Sequence, residues 1–174
     1  MRLAVIAVLC TACDTGVTAI ALGPLDAEPS CEEARTHKEL SWIQANIFDK
    51  SCSLSTSCHG GDGLQAAGLV LTAGQSYDGL VGVDAQGDYG TTVHGTKQWK
   101  RVVAGDPANS YLMVMIHPKA APPMTNYPFD PNSGFGSAAD INPKVGPMPV
   151  NGDPLCALKL DAIQHWIEDG APNN

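Results

Sequence analysis

The sequence predicts a single, mainly α-helical domain with long irregular loops. Two apolar stripes at helical spacing predict it: Leu40, Ile43 and Ile47 near the start, and Leu160, Ile163 and Ile167 near the end. A third observation is the supply of 18 glycines and 13 prolines, which break up the residues between the stripes. With 174 residues the chain has enough length for one sizeable core and is short for two.

In chain order, Arg2 followed by the apolar run Leu3 to Leu9 reads as an export signal, too short to span a bilayer. Cys10-Thr11-Ala12-Cys13 resembles a lipoprotein cleavage site, so residues 1–13 are expected to be a signal and Cys13 a lipid acceptor. The alternative is cleavage further along, between Ala19 and Ala27, without a lipid. Residues 14–35 carry Gly16, Gly23, Pro24 and Pro29 among small and acidic residues, and read as a flexible tether. The folded domain is expected over 36–174, opening with a helix from Thr36 to about Asp49. A Ser-rich stretch between Cys52 and Cys58 follows, then Gly60-Gly61-Asp62-Gly63, which cannot stay helical.

Leu69, Val70 and Leu71 fit either a strand or an extended loop. Six glycines between 72 and 95 predict long connections. Gly105-Asp106-Pro107 is a turn, a cap and a first-turn proline, and predicts a helix through Tyr111, Leu112, Met115 and Ile116 to about His117. Eight prolines from Pro118 to Pro149 make that stretch irregular. Asp153-Pro154 is a second cap for the final helix, in which Trp166 packs towards Ile43 and Ile47. Gly170 in the left-handed position and Pro172 end it.

Cys58-His59, with Cys52 upstream, carries the chemistry. Two thiols and an adjacent imidazole suit covalent capture of haem: the thiols add to the vinyl groups and the histidine becomes the proximal iron ligand. The common spacing is C-x-x-C-H, whereas five residues separate the thiols here. In a straight helix they would lie about 9 Å apart along the axis, so residues 53–57 must bulge and return Cys52 to the ring. Ser53, Ser55, Thr56 and Ser57 suit such a turn, and the added closure entropy is small.

From Ser41 to Pro172 the chain resembles a c-type cytochrome domain. The pieces are Ile47-Phe48, Cys58-His59-Gly60, Val103-Ala104-Gly105-Asp106-Pro107 with Ser110-Tyr111-Leu112, Met148-Pro149, and Ile163 with Trp166-Ile167 and Gly170-Ala171. Their order is similar to the long-looped bacterial cytochrome c domains of exported proteins. The resemblance implies a cytochrome c-like fold, one covalent haem c, and His59 with Met148 as iron ligands. Met124 is the second choice for the sulfur; His117 and His94 would lower the reduction potential. Met113 and Met115 fall in a helix and are expected in the core. Trp99, Lys100 and Arg101 could meet the haem propionates or form a solvated basic turn, and His37 and His165 are expected on exposed helix surface. The loops at 72–100 and 118–147 would cover the haem or face a partner.

On this assignment Cys10 leaves with the signal, Cys13 carries lipid, and Cys52 and Cys58 carry haem. Cys31 and Cys156 remain, available for a disulfide in an oxidising compartment. The competing assignment pairs Cys52 with Cys58 and leaves no haem.

The implied function is one-electron transfer by a periplasmic or membrane-anchored lipoprotein, not catalysis. A haem-free, disulfide-stabilised binding module and a haem enzyme or gas sensor with an open sixth position are the rivals. Acidic residues outnumber basic ones 18 to 10, a net charge of -8 that disfavours nucleic acid and fits redox partners with a basic docking surface. No paired carboxylates, phosphate loop or nucleophile motif is present, and Cys52, Cys58 and His59 alone do not make a tetrahedral zinc set.

Overall fold

A computed structural model describes residues 29–62, 66–86, 98–117, 135, 148–150 and 153–174. The signal and lipid assignments at Cys10 and Cys13, the tether before Pro29, and the second-choice ligands His94 and Met124 lie outside these residues. Among the described residues the fold is helical, with isolated β-bridges and no named strand, and no helix is long and apolar enough to cross a membrane.

The first helix, α1 (Pro29–Ala34), lies in the stretch expected to be tether. Cys31 corrects that boundary: its disulfide to Cys156, with Cα atoms 6.2 Å apart, pins α1 to the start of the last helix. Cys31 and Ala34 are buried there against Leu158 and Ala162. The sequence between 14 and 35 has too few apolar residues to show this packing by periodicity.

The helix expected from Thr36 begins instead at Leu40. It comprises α2 (Leu40–Ile43) and a π-helical continuation, Gln44–Cys52. Its first two amides find no cap in Glu39; Leu40 N–H donates to Asn174 Oδ1 at 2.9 Å and Ser41 N–H to the Asn174 carbonyl at 2.8 Å. His37 is therefore not a helix residue. It is half-buried and stacks on Trp42, with ring centres 4.7 Å apart. Wider winding sets residues five apart over one another: Ser53 N–H donates to the Phe48 carbonyl at 2.8 Å, and Gln44 Nε2 to Asp49 Oδ1 at 2.6 Å. The inner stripe Leu40, Ile43, Ile47 and Phe48 is buried as its spacing predicts.

After α3 (Ser76–Leu80), segments 81–86 and 98–103 run beside each other through bridges Val81–Val102 and Asp84–Lys100 without becoming strands. Asp106 caps as expected, accepting from Asn109 N–H at 3.1 Å, but only a 3-10 turn, Pro107–Asn109, follows. Ser110 breaks the expected helix. It is fully buried and extended, accepting from Val103 N–H at 2.8 Å and donating to the Asp106 carbonyl at 2.8 Å. Helix α4 (Tyr111–Ile116) then buries Tyr111, Met113, Val114, Met115 and Ile116, so Met113 and Met115 are core residues.

The last helix, α5 (Ala157–Glu168), starts after the Asp153-Pro154 pair, with Cys156 in the cap position. The disulfide at Cys156 fixes that start in place of the expected cap. Leu160, Ile163, Trp166 and Ile167 join Ile43, Ile47 and Phe48 in the main core. Trp166 Nε1 donates to the Pro172 carbonyl at 2.9 Å. Gly170 takes φ +93, where glycine is favoured, and ends the helix. His165 is exposed.

Candidate functional site

The π-helical segment delivers Cys52 to the rim of the main core, and residues 53–57 leave it as a bulge. His59 N–H donates back to the Cys52 carbonyl at 3.0 Å, while Cys58 N–H and Gly60 N–H both donate to the Ser55 carbonyl, at 3.0 and 3.2 Å. The loop thus closes on itself and brings the backbone of Cys52 beside Cys58-His59. A side chain at Gly60 would place its Cβ 2.3 Å from the Ser53 carbonyl oxygen, so the closed loop requires glycine there.

Cys52 and Cys58 are both free thiols, while Cys31 and Cys156 are joined. The competing Cys52–Cys58 disulfide is not formed. Their surroundings differ. Cys52 packs against the main core, and although part of the residue reaches the surface, burial, assisted by the neighbouring Cys58, pushes its thiol up to about 12. Cys58 lies in the loop, where the Ser55 hydroxyl donates to its sulfur at 3.4 Å.

The raised value favours neutral Cys52 in the fold. Its contribution to stability is complete below the ordinary thiol value and is lost as pH rises towards about 12. Near pH 8 Cys52 is therefore held almost entirely as the neutral thiol. In the haem-free protein iodoacetamide is therefore expected to modify Cys58 at least about 100-fold faster than Cys52. Mass spectrometry of timed samples checks this, and equal rates would contradict the burial of Cys52.

His59 is half-buried, and its Nδ1 lies 3.1 Å from the Leu69 carbonyl oxygen. A carbonyl only accepts, so Nδ1 carries the proton and Nε2 keeps its lone pair. Burial holds the imidazole below its ordinary value; the Arg101 charge acts in the same direction, and the Leu69 bond opposes both. The result is a neutral imidazole with its outer nitrogen available to a metal, oriented as metal-binding histidines commonly are.

Met148 meets this core from the side of α4. Its N–H donates to the Met115 carbonyl at 2.8 Å, and its side chain packs against both the main core and the cluster of Ala85, Trp99, Tyr111, Val114 and Met115. Cys52, Leu69 and Met148 all border the main core. His117 follows α4 and packs on Phe135, with ring centres 5.7 Å apart.

The basic turn divides. Lys100 is exposed, paired with Asp84 at 2.8 Å. Trp99 is buried beside Tyr111. Arg101 is buried too, with Nη1 donating to the Gly79 carbonyl at 2.7 Å and Nη2 to the Ala67 carbonyl at 2.8 Å. The reading of all three as a solvated turn therefore holds for Lys100 alone.

Sequence reasoning missed the Leu69 carbonyl, which no side-chain pattern marks, and Gln44. Gln44 had a legible signal: it is a polar residue on the apolar face, four residues from Leu40 and three from Ile47. Among the described residues no cluster of three or more His, Cys, Asp and Glu suits a bare metal ion. The donors that these residues offer are two free thiols, one imidazole with a bare Nε2 and one thioether, a set that fits haem c. No protein-family model, curated protein or solved structure matches the chain.

Proposed function

We propose that this chain is a monohaem c-type cytochrome of an exported electron-transfer chain, with a cytochrome c-like fold to which the Cys31–Cys156 disulfide joins α1. The observation that supports it best is the Cys52–His59 loop: two unpaired thiols and an imidazole whose Nδ1–H is held by Leu69, leaving Nε2 as a ligand. Cys58 and Cys52 would hold the haem, and His59 and Met148 would ligate its iron. When bound, the haem iron supplies a one-electron change of valence, and thioether ligation favours the reduced state.

The chain's own residues do the rest. The Leu69 carbonyl orients the imidazole, and the core formed by Ile43, Ile47, Phe48 and Ile163 keeps water from the side on which Cys52 sits. With His59 and Met148 both holding the iron, no position on it would be left for a substrate, so the proposed role is a carrier and not an enzyme. An acidic chain is suited to redox partners with basic surfaces, and a lipid on Cys13 would be the membrane attachment.

The test is an alkaline pyridine haemochrome of the protein made in an exporting host that attaches haem. A haem band that remains with the protein after acid-acetone extraction is the expected result, and its α-band position counts the vinyl groups consumed. A protein that leaves the host colourless would overturn the reading in favour of a haem-free module.

A further inference from the structure

His59 is oriented by one carbonyl, and the segment that carries this carbonyl has no regular structure of its own. Its peptide groups are held from several sides. Arg101 Nη2 donates to the Ala67 carbonyl at 2.8 Å, His59 Nδ1 to the Leu69 carbonyl at 3.1 Å, and Gln44 Nε2 to the Leu71 carbonyl at 2.8 Å. Leu71 N–H in turn donates to the His59 carbonyl at 2.8 Å. At Gly68 the chain turns with φ +71, and at Gly79 a Cβ would lie 3.1 Å from the Val70 carbonyl oxygen, so α3 presses on the same segment.

Gln44 and Arg101 are both buried polar residues, at 8% and 6% exposure, where a side chain without partners is costly. Each uses its donors on this segment or its neighbour. The Gln44 amide also donates to Asp49 and accepts from Ser76 Oγ at 2.6 Å, which fixes its orientation. Arg101 spans the Ala67 and Gly79 carbonyls with the two arms of its fork.

We infer that Gln44 and Arg101 are positioning residues: they clamp residues 67–71 so that the Leu69 carbonyl fixes His59 as its Nδ1–H tautomer with Nε2 presented outward. Their relevance to a ligand rests on the reading of His59 as an iron ligand, but the tautomer does not, since it is a property of the haem-free chain. The two side chains add to the backbone bond between Leu71 N–H and the His59 carbonyl, and hold the segment on both sides of Leu69.

The test is long-range 1H–15N NMR of the histidine ring nitrogens in the haem-free protein, at a pH where His59 is neutral. The wild type is expected to show a protonated Nδ1 and a bare Nε2. Gln44→Met keeps the side-chain length but removes both donors. Arg101→Lys keeps the charge but cannot reach two carbonyls with a planar fork. Each is expected to move the two ring shifts towards one another as the Nε2–H tautomer becomes populated. Leu158→Val, which loosens the separate cluster around the Cys31–Cys156 disulfide, where none of residues 67–71 lies, is expected to leave them unchanged.

A wild-type His59 protonated on Nε2 would overturn the inference. So would wild-type shifts in both clamp variants, or an equal change in Leu158→Val. If Gln44→Met does not fold, the wild type and Arg101→Lys still decide the matter. A chain that never takes haem leaves these outcomes as they stand, so failure of the haem reading and failure of the clamp are told apart.

Discussion

Replacing Cys31 and Cys156 together by serine is expected to lower the unfolding free energy by about 4 kcal/mol. The disulfide closes a loop across 125 residues of sequence. Opening it returns a large conformational freedom to the unfolded chain, and the native state loses its link between α1 and the cap of α5. Cys31 and Cys156 are also buried with Ala34, Leu158 and Ala162, so two serine hydroxyls would enter an apolar cluster. Urea unfolding followed by far-ultraviolet circular dichroism measures the change, with the oxidised wild type as reference. A loss below about 1 kcal/mol would show that α1 contributes little to the fold.

In the haem-loaded protein the largest functional effect is expected from Cys58→Ala. Cys58 is the thiol in the loop, next to the imidazole that would hold the iron, whereas Cys52 is packed on the core. Removing Cys58 should leave less than about a tenth of the covalently retained haem, because Cys58 is the thiol adjacent in sequence to His59, the proposed iron ligand. Cys52→Ala should retain haem through one thioether, with the α band displaced towards the one-vinyl position. Acid-acetone extraction followed by the pyridine haemochrome reads both. Equal retention in the two variants would remove the distinction between the thiols.

The helical class was legible because burial follows period: Leu40, Ile43 and Ile47, and Leu160, Ile163 and Ile167, face one core as their spacing demands. The element ends were less so. Ser110 looks like an ordinary first-turn residue, but its hydroxyl is taken by Val103 and Asp106, which breaks the helix. The start of α5 is set by a disulfide partner 125 residues away, which outweighs the Asp153-Pro154 signal. At the site, the bulge at 53–57 was expected from the thiol separation taken together with the haem reading, which asks both thiols to reach one ring. The clamp did not, since Gln44, Arg101 and the Leu69 carbonyl meet only through the tertiary fold, and backbone acceptors leave no trace in side-chain patterns.

The amides that open the cysteine-bearing helix find their partners in Asn174, 134 residues downstream of Leu40. During vectorial synthesis that helix consequently stays uncapped until the rest of the domain has emerged. The same order delays the Cys31–Cys156 closure, whose second sulfur arrives only eighteen residues before Asn174. Contacts of such long sequence separation slow folding. The thiols of the loop therefore pass their first moments after translation in an open chain, before Cys52 is packed on the core.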